Sequence, residues 1–245
     1  MPEDLRDSIQ RAADLGRQLY ALDTVAAIGT DVMLANVKDP VALGLVGYLP
    51  IRDGDDDGAP IDSFSVIFFT GDDPPRIALE VGVAPGRTPE LRSFDPPKDM
   101  SEGVAMLARA RRLALEALPE RAQPLNPLVV PAEGIGETGI LVYLLAGTQQ
   151  PNVVVLGKHY RVRLSEDAAS VQAMEPLSKS VIELPTVSPE GTAVESLFVT
   201  HIVSDFPLET HVLASLQAKL PIYVATKRGL WRVAGAEISL VKGPE

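Results

Sequence analysis

Leu5, Ile9, Ala12, Ala13 and Leu19 recur three or four positions apart, the spacing that gives a helix one buried face, and predict a helix over 3–22. Acidic residues crowd its first turn, where the helix dipole favours them. Asp23-Thr24 interrupts the pattern, and a second helical piece is expected over 25–35, with Gly29 leaving the join between the two pieces open. From Val41 the period shortens to that of strands. Residues 43–51, 64–70 and 76–83 read as three strands joined by short Asp-, Gly- and Pro-rich turns. Connections this short suit an antiparallel meander, because parallel strands need longer crossovers. The proline-rich stretch 84–98 has no period and reads as loop.

A helix is expected over 101–118, capped by Asp99 or Ser101 and ended by Pro119. Strands follow at 128–130, 140–146, 153–164, 171–173, 181–184 and 197–203. In the next helix, near 207–220, Leu208, Val212, Leu216 and Leu220 form the buried stripe, with Ser204 or Asp205 as its cap. Strands at 222–225 and 230–240 close the chain. The expected fold is α+β: a mainly antiparallel sheet with about three helices packed on it. It forms one domain or two lobes, 1–118 and 128–245, parted at the proline-marked loop 119–127.

Composition narrows the function classes. With 46% hydrophobic and 22% charged residues in 245, the chain is expected to fold around a core. A net charge of −11 without a compensating basic stripe disfavours nucleic acid as a partner. The absence of cysteine removes disulfides, thiolate metal sites and cysteine nucleophiles. Apolar runs such as 140–146 are too short to span a bilayer, and the charged start lacks the form of a secretory signal, so a cytoplasmic protein is expected, with an exported mature form as the alternative.

Few stretches carry candidate chemistry. Asp53, Asp55 and Asp57 before Gly58 alternate as in the first half of a calcium loop, but Phe64 stands where the bidentate glutamate belongs, so a polar hairpin turn is the expectation. Gly134, Gly136 and Gly139 have the spacing of a dinucleotide loop, yet a strand-like run follows where a helix is required. No cofactor is expected. His159, Arg161 and Arg163 alternate onto one strand face, either a small-anion patch or an ordinary solvent face. His201, Asp205, Glu209 and His211 are ligand types suited to a divalent metal, although no His-Glu-x-x-His motif frames them. A serine, histidine and aspartate triad built on His159, His201 or His211 depends on contacts in space that spacing alone does not fix.

Three runs, Gly157-Lys-His-Tyr-Arg161, Glu175-Pro-Leu-Ser-Lys-Ser180, and Thr200-His201 through Pro207-x-Glu209-x-His211 to Tyr223-Val-Ala-Thr226, resemble a family of uncharacterised bacterial proteins. The resemblance covers mainly 153–241. It implies a grouping without an activity, and a cysteine in many members where this chain has Val181. The leading expectation is a non-catalytic binding, accessory or structural protein that meets a protein partner through a strand edge or helix. The alternatives are a metal-assisted hydrolase using His201, Glu209 and His211, and a small-anion binder using His159, Arg161 and Arg163.

Overall fold

The computed structural model describes residues 3–53, 63–118, 125–131, 138–148 and 150–243. After a short 3-10 turn, helix α1 runs unbroken over Arg6–Asn36, so the interruption expected at Asp23-Thr24 does not occur. Gly29 lies inside this continuous helix and lets it approach the sheet, since a Cβ there would sit 2.7 Å from the Val66 side chain. Internal contacts divide the chain into two units, one of Met1–Tyr20 with Leu113–Glu245 and one of Ala21–Arg112. The fold is α+β with mainly antiparallel sheet.

In the smaller unit, β1 (Leu45–Arg52), β2 (Phe64–Thr70), β3 (Arg76–Val83) and β4 (Glu90–Asp99) pair antiparallel in chain order. Val25 and Met33 of α1 pack against Phe64, Val66, Phe68, Leu79 and Val81. The strand β4 corrects the loop expected over 84–98. Its prolines sit in a terminal, largely exposed strand, where a missing backbone donor costs little, and charge pairs tie it to β3. Lys98 reaches Glu80 at 2.9 Å and Arg76 reaches Asp99 at 3.1 Å. Helix α2 (Glu102–Glu116) follows.

In the larger unit, β5 (Leu125–Pro131), β6 (Ile140–Ala146), β8 (Tyr160–Leu164) and β9 (Val171–Pro176) form a second antiparallel sheet. The strand expected over 153–164 is broken: β7 (Val153–Val155) pairs instead with β10 (Glu183–Pro185), and the chain turns at Gly157-Lys158, where Lys158 has φ +59°. A last sheet orders β11 (Leu197–Thr200), β12 (Ile222–Thr226), β13 (Gly229–Ala234) and β14 (Glu237–Lys242). Its β11 and β12 run parallel, joined through α3 (Glu209–Ala218), while Gly235 at φ +58° turns the expected single strand 230–240 into a hairpin. Val199, Val212, Ile222, Val224, Trp231 and Val233 fill the core beneath this sheet, with Ile9 and Ala13 of α1.

The cap of α3 differs from expectation. Leu208 is the N-cap, and the backbone N–H that a Ser or Asp side chain would not satisfy is met by His211, whose Nδ1 accepts from Leu208 N at 3.0 Å. An imidazole thus fills the role of the glutamate in a capping box. Ser204 is engaged elsewhere, donating to the Phe206 carbonyl at 2.5 Å. No helix among the described residues is long and apolar enough to cross a membrane.

Candidate functional site

The polar centre of the larger unit arises from strand register. Tyr143 on β6 is the cross-strand partner of Arg161 on β8, which in turn pairs with Glu175 on β9. Direct cross-strand partners project from the same face, so the three side chains form a row. Glu209, at the first turn of α3, meets that row. Its Oε1 accepts from the Tyr143 hydroxyl at 2.8 Å and from Arg161 at 2.8 Å. Arg161 also donates to Glu175 Oε2 through Nε at 2.9 Å and through a terminal nitrogen at 2.6 Å.

Burial makes this network costly to disturb. Glu209 is 2% exposed and Tyr143 fully buried, while the Arg161 side chain is 22% exposed. A buried carboxylate is tolerated when charge-assisted hydrogen bonds replace its water, and the N-terminus of α3 adds a favourable dipole. Burial pushes the Tyr143 phenol well above its usual range, and the Glu209 charge adds to that. Burial alone would lower Arg161, but Glu209, Tyr143 and Glu175 outweigh it and hold the guanidinium charged.

The three histidines are buried as well. His159 Nδ1 accepts from Ala146 N at 3.0 Å, leaving Nε2–H to donate to the Val155 carbonyl at 3.1 Å. His201 Nε2 lies 2.9 Å from Ser204 Oγ, whose own proton goes to Phe206, so this imidazole also carries its proton on Nε2. Its ring meets that of His211 edge-on at 4.6 Å between centroids. Desolvation lowers all three pKa values, and His211, next to His201, falls to about 3. They are neutral at pH 7.

These positions locate each candidate. Arg161 belongs to the network, His159 is committed to two backbone groups, and Arg163 lies along the same strand paired with Leu141 and Ala173. His201 and His211 come together, but Glu209 turns to Arg161 and Tyr143, and Asp205 is exposed, its carbonyl accepting from Thr226 at 2.9 Å. Among the described residues no group of three or more His, Asp or Glu side chains is placed to hold a metal ion. Among them, too, no carboxylate bonds to any of the three imidazoles, the contact a serine–histidine–aspartate triad requires. Asp53 opens the connection between antiparallel β1 and β2, its N–H bonded to the Ser63 carbonyl at 3.0 Å, whereas Asp55 and Asp57 lie outside the described residues. So do Gly134 and Gly136; after Gly139 the chain enters β6 and no helix.

Residues from all three runs quoted above meet here. Arg161 comes from the first, Glu175 from the second and Glu209 from the third. The first two also share backbone: Leu177 N donates to the His159 carbonyl at 2.9 Å, and Lys158 N donates to Ser178 Oγ at 2.8 Å. A Cβ on Gly157 would stand 2.2 Å from the Ser180 carbonyl, so only glycine allows that approach. Spacing did not reveal Tyr143, although one hydroxyl within the apolar run Ile140–Ala146 calls for a buried partner. No protein-family model, curated protein or solved structure matches this chain.

Proposed function

We propose that this chain is a non-catalytic binding protein that takes an extended, acidic segment of a protein partner against β11 and the open face of its sheet. The observation that carries the reading is the exposure of Phe198, 59%, on the terminal strand of a sheet, continued by Ile202 at 54% and Val203 at 42%. A terminal strand offers unpaired backbone groups to an added strand, and exposed apolar side chains give that strand pockets to fill. Cross-strand register sets Phe198 beside Tyr223, and Tyr223 beside Arg232, with Ser239 completing the row.

Charge favours an acidic partner. Lys227, Arg228, Arg232 and Lys242 lie within positions 222–242 with Glu237 as the one acidic residue, in a chain of net charge −11, and of these Arg228 is already paired with Asp4 at 2.7 Å. The commitments of Glu209, Arg161 and the three histidines to internal partners support a role without catalysis. The test places a photo-crosslinking amino acid at Phe198 and, as control, at Val41, which is 82% exposed in the smaller unit. In cells that make the protein, the expected result is one identified partner crosslinked from position 198 through an acidic segment, and not from 41. Equal, promiscuous crosslinking from both positions would overturn the reading.

A further inference from the structure

Arg111 of α2, in the smaller unit, is a half-buried cation whose charge no carboxylate among the described residues meets by ion pair. Its guanidinium carbon lies 5.6 Å from the centre of the Tyr48 ring and 5.7 Å from that of Phe69. Its Nε is buried and has no hydrogen-bond partner. On β1, Gly47 makes room for it: a Cβ there would sit 2.7 Å from an Arg111 terminal nitrogen and 2.6 Å from Phe69. Burial lowers the Arg111 pKa, with the Tyr48 oxygen offsetting part of that. Burial also pushes the Tyr48 phenol up to about 12, against the Arg111 charge and with the charge of Asp23, the one carboxylate among the described residues that acts on this hydroxyl, adding to it. Tyr48 therefore stays an O–H donor at neutral pH.

Packing of this kind takes the Nε donor out of water and holds the guanidinium against two rings without supplying that donor an acceptor. Arginines held for stability alone usually gain acceptors as they lose water, as Arg161 does in this protein. We propose that Arg111, with the Tyr48 hydroxyl beside it and Gly47 opening the strand, is the anchor of a binding site for a small oxyanion, a carboxylate or a phosphate. The guanidinium fork matches either group bidentately, and the aromatic rings fix its plane. The site lies wholly in the smaller unit and does not depend on the partner surface proposed for β11.

The test follows backbone amide signals of the 15N-labelled full chain during titration with succinate, with inorganic phosphate, and with sodium chloride at matched ionic strength. The expected result is a saturable shift at Gly47, Tyr48 and Arg111 with one or both oxyanions, absent with chloride and lost in Arg111→Met. Saturation at lower succinate than phosphate assigns a carboxylate ligand, and the reverse assigns a phosphate. Shifts that track ionic strength alone, or that persist in Arg111→Met, would overturn the site. Should Arg111→Met fail to fold, Arg111→Lys keeps the charge without the fork. At least tenfold weaker binding is expected there, and unchanged affinity would overturn the proposal.

Discussion

Arg161 and Arg111 are both arginines taken partly out of water, and the two units treat them in opposite ways. In the larger unit Arg161 is placed by strand register between Glu175 and Glu209, so each charge removed from water gains charge-assisted hydrogen bonds. In the smaller unit Arg111 lies against Tyr48 and Phe69 with its Nε unsatisfied. The first arrangement uses polar chemistry to hold a sheet and helix together; the second leaves one buried donor, Nε, without an acceptor. A charged residue in a protein interior therefore reads as structure or as site according to its partners, and burial alone does not distinguish them.

The largest effect should come from breaking the satisfied arrangement. Glu209→Ala leaves Arg161 half-paired and the Tyr143 hydroxyl without its acceptor, and should cost about 3 kcal/mol. That is at the low end for a buried pair, because the Arg161 side chain keeps 22% exposure. Urea unfolding followed by fluorescence of Trp231, which lies in the core of the same unit, measures it. A loss under about 1 kcal/mol would mean water already serves these groups.

Acidification should act next. His211 titrates near 6.5 when unfolded and at about 3 when folded, so between those values the unfolded chain binds more protons. Stability is then full above pH 6.5 and falls as pH drops, by about 2 kcal/mol at pH 5 from this residue alone. His159 and His201, whose pKa values are also lowered, act in the same direction. His211→Gln keeps an acceptor for Leu208 N without titrating, and should flatten the dependence between pH 7 and 5. An unchanged slope would place the acid sensitivity elsewhere.

The smallest effect, and of opposite sign, belongs to the unsatisfied arginine. Without added anion, Arg111→Met should leave the unfolding midpoint unchanged or raise it by the equivalent of up to about 1 kcal/mol, since it removes an unpaired buried donor. A marked fall in midpoint would mean that the stacking on Tyr48 and Phe69 outweighs the missing hydrogen bond, and the contrast with Arg161 would lose its meaning.

How much of this was legible in the sequence follows from the range of each interaction. Elements set by local period were readable: β2, β3 and β6 fall at the expected positions because alternating or continuous apolar runs and turn residues mark them. β4 was not, because its prolines deny the usual strand pattern and it is held by cross-strand charge pairs with β3. The α3 cap was misplaced because it is made from inside the helix: the His211 imidazole accepts from the Leu208 N–H, as a capping-box glutamate would, and no Ser or Asp side chain takes the N-cap position. Arg161 and Glu209 were singled out as residues, but to different roles. Their meeting across 48 positions depends on sheet register and on where α3 begins, and neither is a property of local spacing.

The central claim is that the larger unit works through the surface beside Phe198 while its buried polar set serves only the fold. The direct measurement compares Phe198→Asp with Glu209→Ala for photo-crosslinking from Ile202, below the unfolding temperature of each, and for unfolding midpoint. Phe198→Asp should abolish crosslinking to the partner with the midpoint within about 0.5 kcal/mol of the parent, as for a surface substitution. Glu209→Ala should lower the midpoint and leave crosslinking intact. Loss of crosslinking in Glu209→Ala while the protein is still folded, with Phe198→Asp unaffected, would contradict the account.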